Sequence, residues 1–210
     1  MKNLLIVSFL VSFIFTQETT SYSWENGGTI LGYYGNVSNP NNVGTTNGVS
    51  PFDGSYMLTV SESPNGGTPQ AYIAFIEYLS PGDQVTASFY GWDVTEGENP
   101  SIRIWGGYAS NGDITDYQGS TGEGSGYPNG IGWEKLEHTW TIEAGKEALV
   151  IQARLYSEDN VDGTQFFVDL VSVTAPSSAT VTYPGSDLSG CTDEDAYNYN
   201  AAATEDCNGD

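Results

Sequence analysis

Basic side chains are nearly missing from this chain. Lys and Arg together number five against 27 Asp and Glu in 210 residues, a formal net charge of −22. A field of that sign repels phosphate backbones, which excludes nucleic acid as a partner. It suits a protein dispersed in an extracellular medium, with capacity for hard cations. Histidine occurs once, and the two cysteines, Cys191 and Cys207, both come late, so no His and Cys cluster can hold zinc. His138 alternates with Leu136 and Trp140, the pattern of a packed strand position rather than a general base. Ser125 stands among Gly122, Gly124 and Gly126 without the G-x-S-x-G spacing of a hydrolase elbow. Carboxylates suffice for glycoside hydrolysis, but abundance without spacing is no signal. The chain reads as one without catalytic activity.

Long apolar runs are also missing beyond residue 15, which leaves no candidate for membrane insertion. Residues 4–15 follow Lys2 and are apolar apart from Ser8 and Ser12. A bilayer span takes about 20 residues, and polar Gln17, Glu18, Thr19 and Thr20 come next. This is the pattern of a secretory signal peptide, assigned to residues 1–18, with an uncleaved anchor as the alternative. The remainder is therefore expected outside the cell, secreted or at the cell surface. There Cys191 and Cys207 are expected to pair as a disulfide.

What is present points to strands. Aromatic residues make up 13% of the chain, more than disorder carries. Apolar and polar residues alternate in short runs separated by Gly, Pro, Asn and Asp, the pattern of an all-β sandwich of two antiparallel sheets. In residues 85–94, Val85, Ala87 and Phe89 share one face while Thr86, Ser88, Tyr90 and Trp92 share the other. Residues 101–105 oppose Ile102 and Ile104 to Arg103 and Trp105. Residues 149–156 oppose Leu149, Ile151, Ala153 and Leu155 to Val150, Gln152, Arg154 and Tyr156. Further strands are expected over 55–60, 70–78, 134–142 and 165–173, with a short one over 180–183. The Gly-rich stretch 106–132 is either a long loop or an edge hairpin. The domain is assigned to residues 19–175, a linker to 176–189 and an acidic tail bounded by cysteines to 190–210.

The order of motifs resembles the jelly-roll carbohydrate-binding modules of the family 4 and 9 group, within the galactose-binding-like sandwiches. The matching pieces are Ser23-Trp24-Glu25-Asn26-Gly27-Gly28, Asp53-Gly54-Ser55-Tyr56, Leu79-Ser80-Pro81-Gly82-Asp83, Gly132-Trp133 and Phe166-Phe167-Val168-Asp169. The tail, with Cys191-Thr192-Asp193 and Asn198-Tyr199-Asn200, is similar to a short repeat at the ends of secreted proteins of marine bacteria. The first resemblance implies a polysaccharide or glycan as partner, held by stacking on rings and by polar groups. Tyr90, Trp92, Arg103, Trp105, Gln152, Arg154 and Tyr156 would form that surface if their three strands share a sheet. The same residues have a packing alternative, with the arginines paired to carboxylates. The resemblance also implies a structural calcium (Ca2+) held by Glu25, Asp53 and Asp169. The rival to a glycan-binding module is a structural or adhesive extracellular protein, joining copies of itself or other surface proteins into a layer or filament.

Overall fold

The computed structural model describes residues 16–158 and 161–185, and these residues are all β. In chain order the strands are β1 (Gln17–Tyr22), β2 (Gly32–Tyr34), β3 (Val37–Val43), β4 (Met57–Glu62), β5 (Gln70–Glu77) and β6 (Gln84–Asp93). They continue as β7 (Ser101–Ala109), β8 (Gly119–Gly124), β9 (Gly132–Thr141), β10 (Ala148–Tyr156), β11 (Thr164–Pro176) and β12 (Thr180–Thr182). They make two six-stranded sheets. The first runs β3-β4-β11-β6-β9, with β1 also paired to β11; the second runs β12-β5-β10-β7-β8, with β2 also paired to β5. Every pairing is antiparallel. From β4 to β11 the chain changes sheet at each connection except the β7–β8 hairpin, which is the jelly-roll path.

Alternation fixes which side of each strand is inside. Val85, Ala87 and Phe89 of β6, Ile102 and Ile104 of β7, and Leu149, Ile151, Ala153 and Leu155 of β10 are fully buried in one core between the sheets. Each larger aliphatic or aromatic group among them contributes about 1.5–3 kcal/mol by leaving water. Trp24 and Trp140 fill the same core. Neither indole N–H is left unpaired there: Trp24 donates to the Thr29 carbonyl at 2.8 Å and Trp140 to the Glu123 carbonyl at 3.1 Å. His138 packs edge-on against Trp140, with ring centroids 4.8 Å apart, as its strand position predicted.

Paired strands extend beyond residues 19–175 at both ends. Strand β1 pairs Gln17 with Pro176 and Tyr22 with Val171. Residues 180–182 pair with β5, so the expected linker begins inside the sandwich. The stretch 106–132 contains an edge hairpin: β7 continues to Ala109 and β8 pairs back on it. Cys191 and Cys207, the acidic tail and residues 1–15 lie outside the described residues.

Candidate functional site

The seven expected surface residues do not share a sheet. A jelly roll sends consecutive strands to opposite sheets, so Tyr90 and Trp92 on β6 lie in the first sheet, while β7 and β10 pair in the second. The single surface expected from the sequence is two surfaces. Arg103, Trp105, Gln152, Arg154 and Tyr156 remain together, on the outer face of the second sheet.

That face is organised in rows across the strands. Tyr72, Gln152 and Trp105 are register partners on β5, β10 and β7. Gln70, Arg154 and Arg103 form the next row. Glycines on the neighbouring strands let the first row lie against the sheet. A Cβ on Gly32 would stand 3.1 Å from the Tyr72 ring, one on Gly107 2.5 Å from Gln152 Nε2, and one on Gly124 2.7 Å from Trp105 Cε3. The Trp105 indole donates to Ser120 Oγ at 3.0 Å. Both guanidinium groups lie against the indole, Arg154 at 4.4 Å and Arg103 at 5.0 Å from its centroid. Arg103 also reaches the Tyr127 ring at 4.8 Å, and its Nε donates to the Ser125 carbonyl at 2.7 Å. Tyr127 in turn meets Tyr156 edge-on at 5.2 Å. Sequence reasoning missed Tyr72 and Tyr127; the alternation in β5 offered Tyr72, whereas Tyr127 comes from a Gly-rich loop without periodicity.

Two polar atoms on this face are covered and without partners, Gln152 Oε1 and Arg154 Nε. Unsatisfied buried groups are rare because each costs about 1–3 kcal/mol. The other half of the face is closed by apolar packing, with Phe75, Ala109, Ala148 and Val150 under Leu31 and Ile114. Two hollows lie elsewhere, one lined by Gln17, Pro81 and Gln84 and another by Glu25, Asn42 and Tyr56.

Tyr90 and Trp92 have a different setting. Phe52 stacks on Tyr90 with centroids 3.5 Å apart, Trp92 meets Trp133 edge-on at 5.6 Å, and the Trp133 indole donates to the Ser50 carbonyl at 2.9 Å. Val49, Met57 and Phe167 are buried beside them. These rings hold the segment before β4 onto the first sheet.

The three expected calcium ligands converge on the same segment, but in another role. Asp169 is fully buried. Its Oδ2 accepts the amides of Phe52 (2.8 Å) and Asp53 (3.0 Å), and its Oδ1 accepts that of Leu170 (2.7 Å). Glu25 Oε1 accepts the amides of Ser55 (2.7 Å) and Tyr56 (2.9 Å). Asp53 is exposed and contributes its amide. Calcium needs 6–8 oxygens, many of them carbonyls, whereas here N–H groups point at the carboxylates. Among the described residues no three Asp, Glu, His or Cys side chains are grouped to hold a metal. The donor set does not fit the expected calcium site; it is an amide clamp. Burial is the largest influence on Asp169 and pushes its carboxyl up to about 6 against the pull of its three amides.

No family model matches the chain, and no curated protein matches it in sequence. Solved structures resemble it. The second family 22 xylan-binding domain of Xyn10C from Paenibacillus barcinonensis is 20% identical, with a TM-score of 0.48 over 74% of this chain and 98% of that one. The first such domain of the same protein is 15% identical, with a TM-score of 0.47 over 75% of this chain and 93% of that one. The K1 adhesin domain of Lys-gingipain from Porphyromonas gingivalis is 15% identical, with a TM-score of 0.42 over 74% of this chain and 97% of that one. The modules named are of family 22, not of the 4 and 9 group that the motif order resembles.

Proposed function

We propose that the chain is a secreted, non-catalytic module that binds a polysaccharide on the outer face of its second sheet. The row Tyr72, Gln152 and Trp105, packed close against glycines beside two arginines, supports this reading best. Rings packed against a sheet offer apolar area to the apolar face of a pyranose, and guanidinium groups orient its hydroxyls. The cations of this face are guanidinium groups, which present only hydrogen-bond donors to a ligand. The face is equipped to hold a ligand rather than to transform one.

The test is a glycan array of the chain, with and without calcium, followed by titration of the best ligand. Trp105→Ala is expected to abolish binding while the circular dichroism of the fold is kept, and Trp92→Ala is expected to bind as the parent does. Full binding by Trp105→Ala would overturn the proposal. A second reading, assembly through the first sheet, is favoured by the apolar exposure of Ile131 (69%) and Phe52 (42%) beside Trp133. Sedimentation velocity decides it: a monomer at all concentrations removes that reading.

A further inference from the structure

The outer face of the second sheet holds an arrangement that a neutral sugar does not require. Arg103 and Arg154 are direct register partners on β7 and β10, and both guanidinium groups lie against the one indole of Trp105. Like charges placed directly across a pair of strands destabilise it. The chain has acidic residues in great excess, yet among the described residues neither arginine forms an ion pair. The other described cations are engaged: Lys135 pairs with Glu137 at 2.5 Å, and Lys146 donates to the Gln118 carbonyl. Arg103 is oriented through its Nε by the Ser125 carbonyl, while Arg154 Nε is covered and unpartnered.

Resting on the proposed glycan face, we infer that its ligand is an anionic polysaccharide whose carboxylate or sulfate groups are received by Arg103 and Arg154. A guanidinium fork matches the oxygens of either anion in bidentate fashion. The anion would supply the counter-charge that the fold withholds from the pair, and Trp105 and Tyr72 would carry the apolar side of the sugar ring. The strong negative field of the rest of the protein opposes approach at long range. At physiological ionic strength that field is screened beyond about 8 Å, so contact with the two arginines decides the outcome.

The experiment titrates the full chain with four probes: a polyuronate, the same polymer after carboxyl reduction, a sulfated galactan, and its desulfated form. At least one anionic probe is expected to bind more tightly than its neutral counterpart by about tenfold or more, the strength of a charge-assisted contact. Whether the polyuronate or the galactan responds identifies the anion. Arg154→Gln and Arg103→Gln are each expected to erase that preference, and Arg154→Lys to restore part of it. The probe comparison on the parent chain stands even if a variant fails to fold. Equal binding of charged and neutral probes overturns the inference while the glycan face survives, provided Trp105→Ala abolishes both. No binding to any of these probes, or to any glycan of the array, overturns both.

Discussion

Asp169→Ala separates an amide clamp from a metal cage. The native carboxylate accepts three backbone amides at 2.7–3.0 Å from a fully buried position. Hydrogen bonds to a charged acceptor contribute about 1.5–3 kcal/mol each. Desolvation offsets part of this, as the carboxyl raised to about 6 shows. Ala removes the acceptor and leaves the donors stranded, the costly half of the exchange. Phe52 and Asp53 are exposed, so water can reach their side of the clamp, and the net loss is expected near 3 kcal/mol. For a domain of this size that lowers Tm by about 6–12 °C.

The loss has a local reporter. Phe52 is held by Asp169 and stacks on Tyr90 beside Trp133. The variant should therefore show altered tryptophan emission below its melting transition, and urea titration should give the stability change. The parent chain melted with excess chelator is the matched control and is expected to keep its Tm. A variant within about 0.5 kcal/mol of the parent, the range of an inconsequential surface change, would refute the clamp. A parent destabilised by chelation would refute it as well and restore calcium.

Acidity gives an independent reading of the same carboxylate. Its folded value of about 6 lies above the ordinary value of 3.8, so between the two the native state holds a proton that the unfolded state has released. Asp169 therefore makes stability rise as pH falls from about 6 toward 4; a bound dication would depress the value and reverse the slope, and the difference between parent and Asp169→Asn in urea titrations across that window measures it. Gly124→Ala would place a Cβ 2.1 Å from the Ile104 carbonyl oxygen and 2.7 Å from Trp105. It is expected to cost about 1–3 kcal/mol by overpacking and to weaken glycan binding, whereas unchanged binding would detach the glycine rows from the site.

The face of each central strand was legible in the sequence, because period-two alternation depends only on neighbouring residues. Ile102 and Ile104 against Arg103 and Trp105 is such a pattern, and the buried set follows it. Partnership between strands is not local. The connection from β6 to β7 looks like a hairpin along the chain, but it crosses between sheets, and this separated Trp92 from Trp105. Strand β1 was hidden for a different reason: its Gln, Glu, Thr and Ser residues carry no apolar alternation, and only Tyr22 is buried. Its place is fixed by the far end of β11. Likewise Glu25 and Asp169 were marked as partners, but whether amides or carbonyls would face them depends on the path of residues 52–56.

The scarcity of cations links the clamp to the arginine pair. Three carboxylates are buried in this fold, Glu62, Asp93 and Asp169, and none has a Lys or Arg partner among the described residues. Each is satisfied by loop amides or hydroxyls. Glu62 accepts the Gly66 amide at 2.6 Å and the Ser157 hydroxyl at 2.5 Å, and Asp93 accepts the Thr95 amide at 3.0 Å and the Ser101 hydroxyl at 2.7 Å. A carboxylate hydrogen-bonded in this way fixes a turn without consuming a cation, and short charge-assisted bonds are strong enough for it. Backbone amides and serine hydroxyls hold these acids, and the two guanidinium groups stay on the outer face of the second sheet with no ion pair among the described residues.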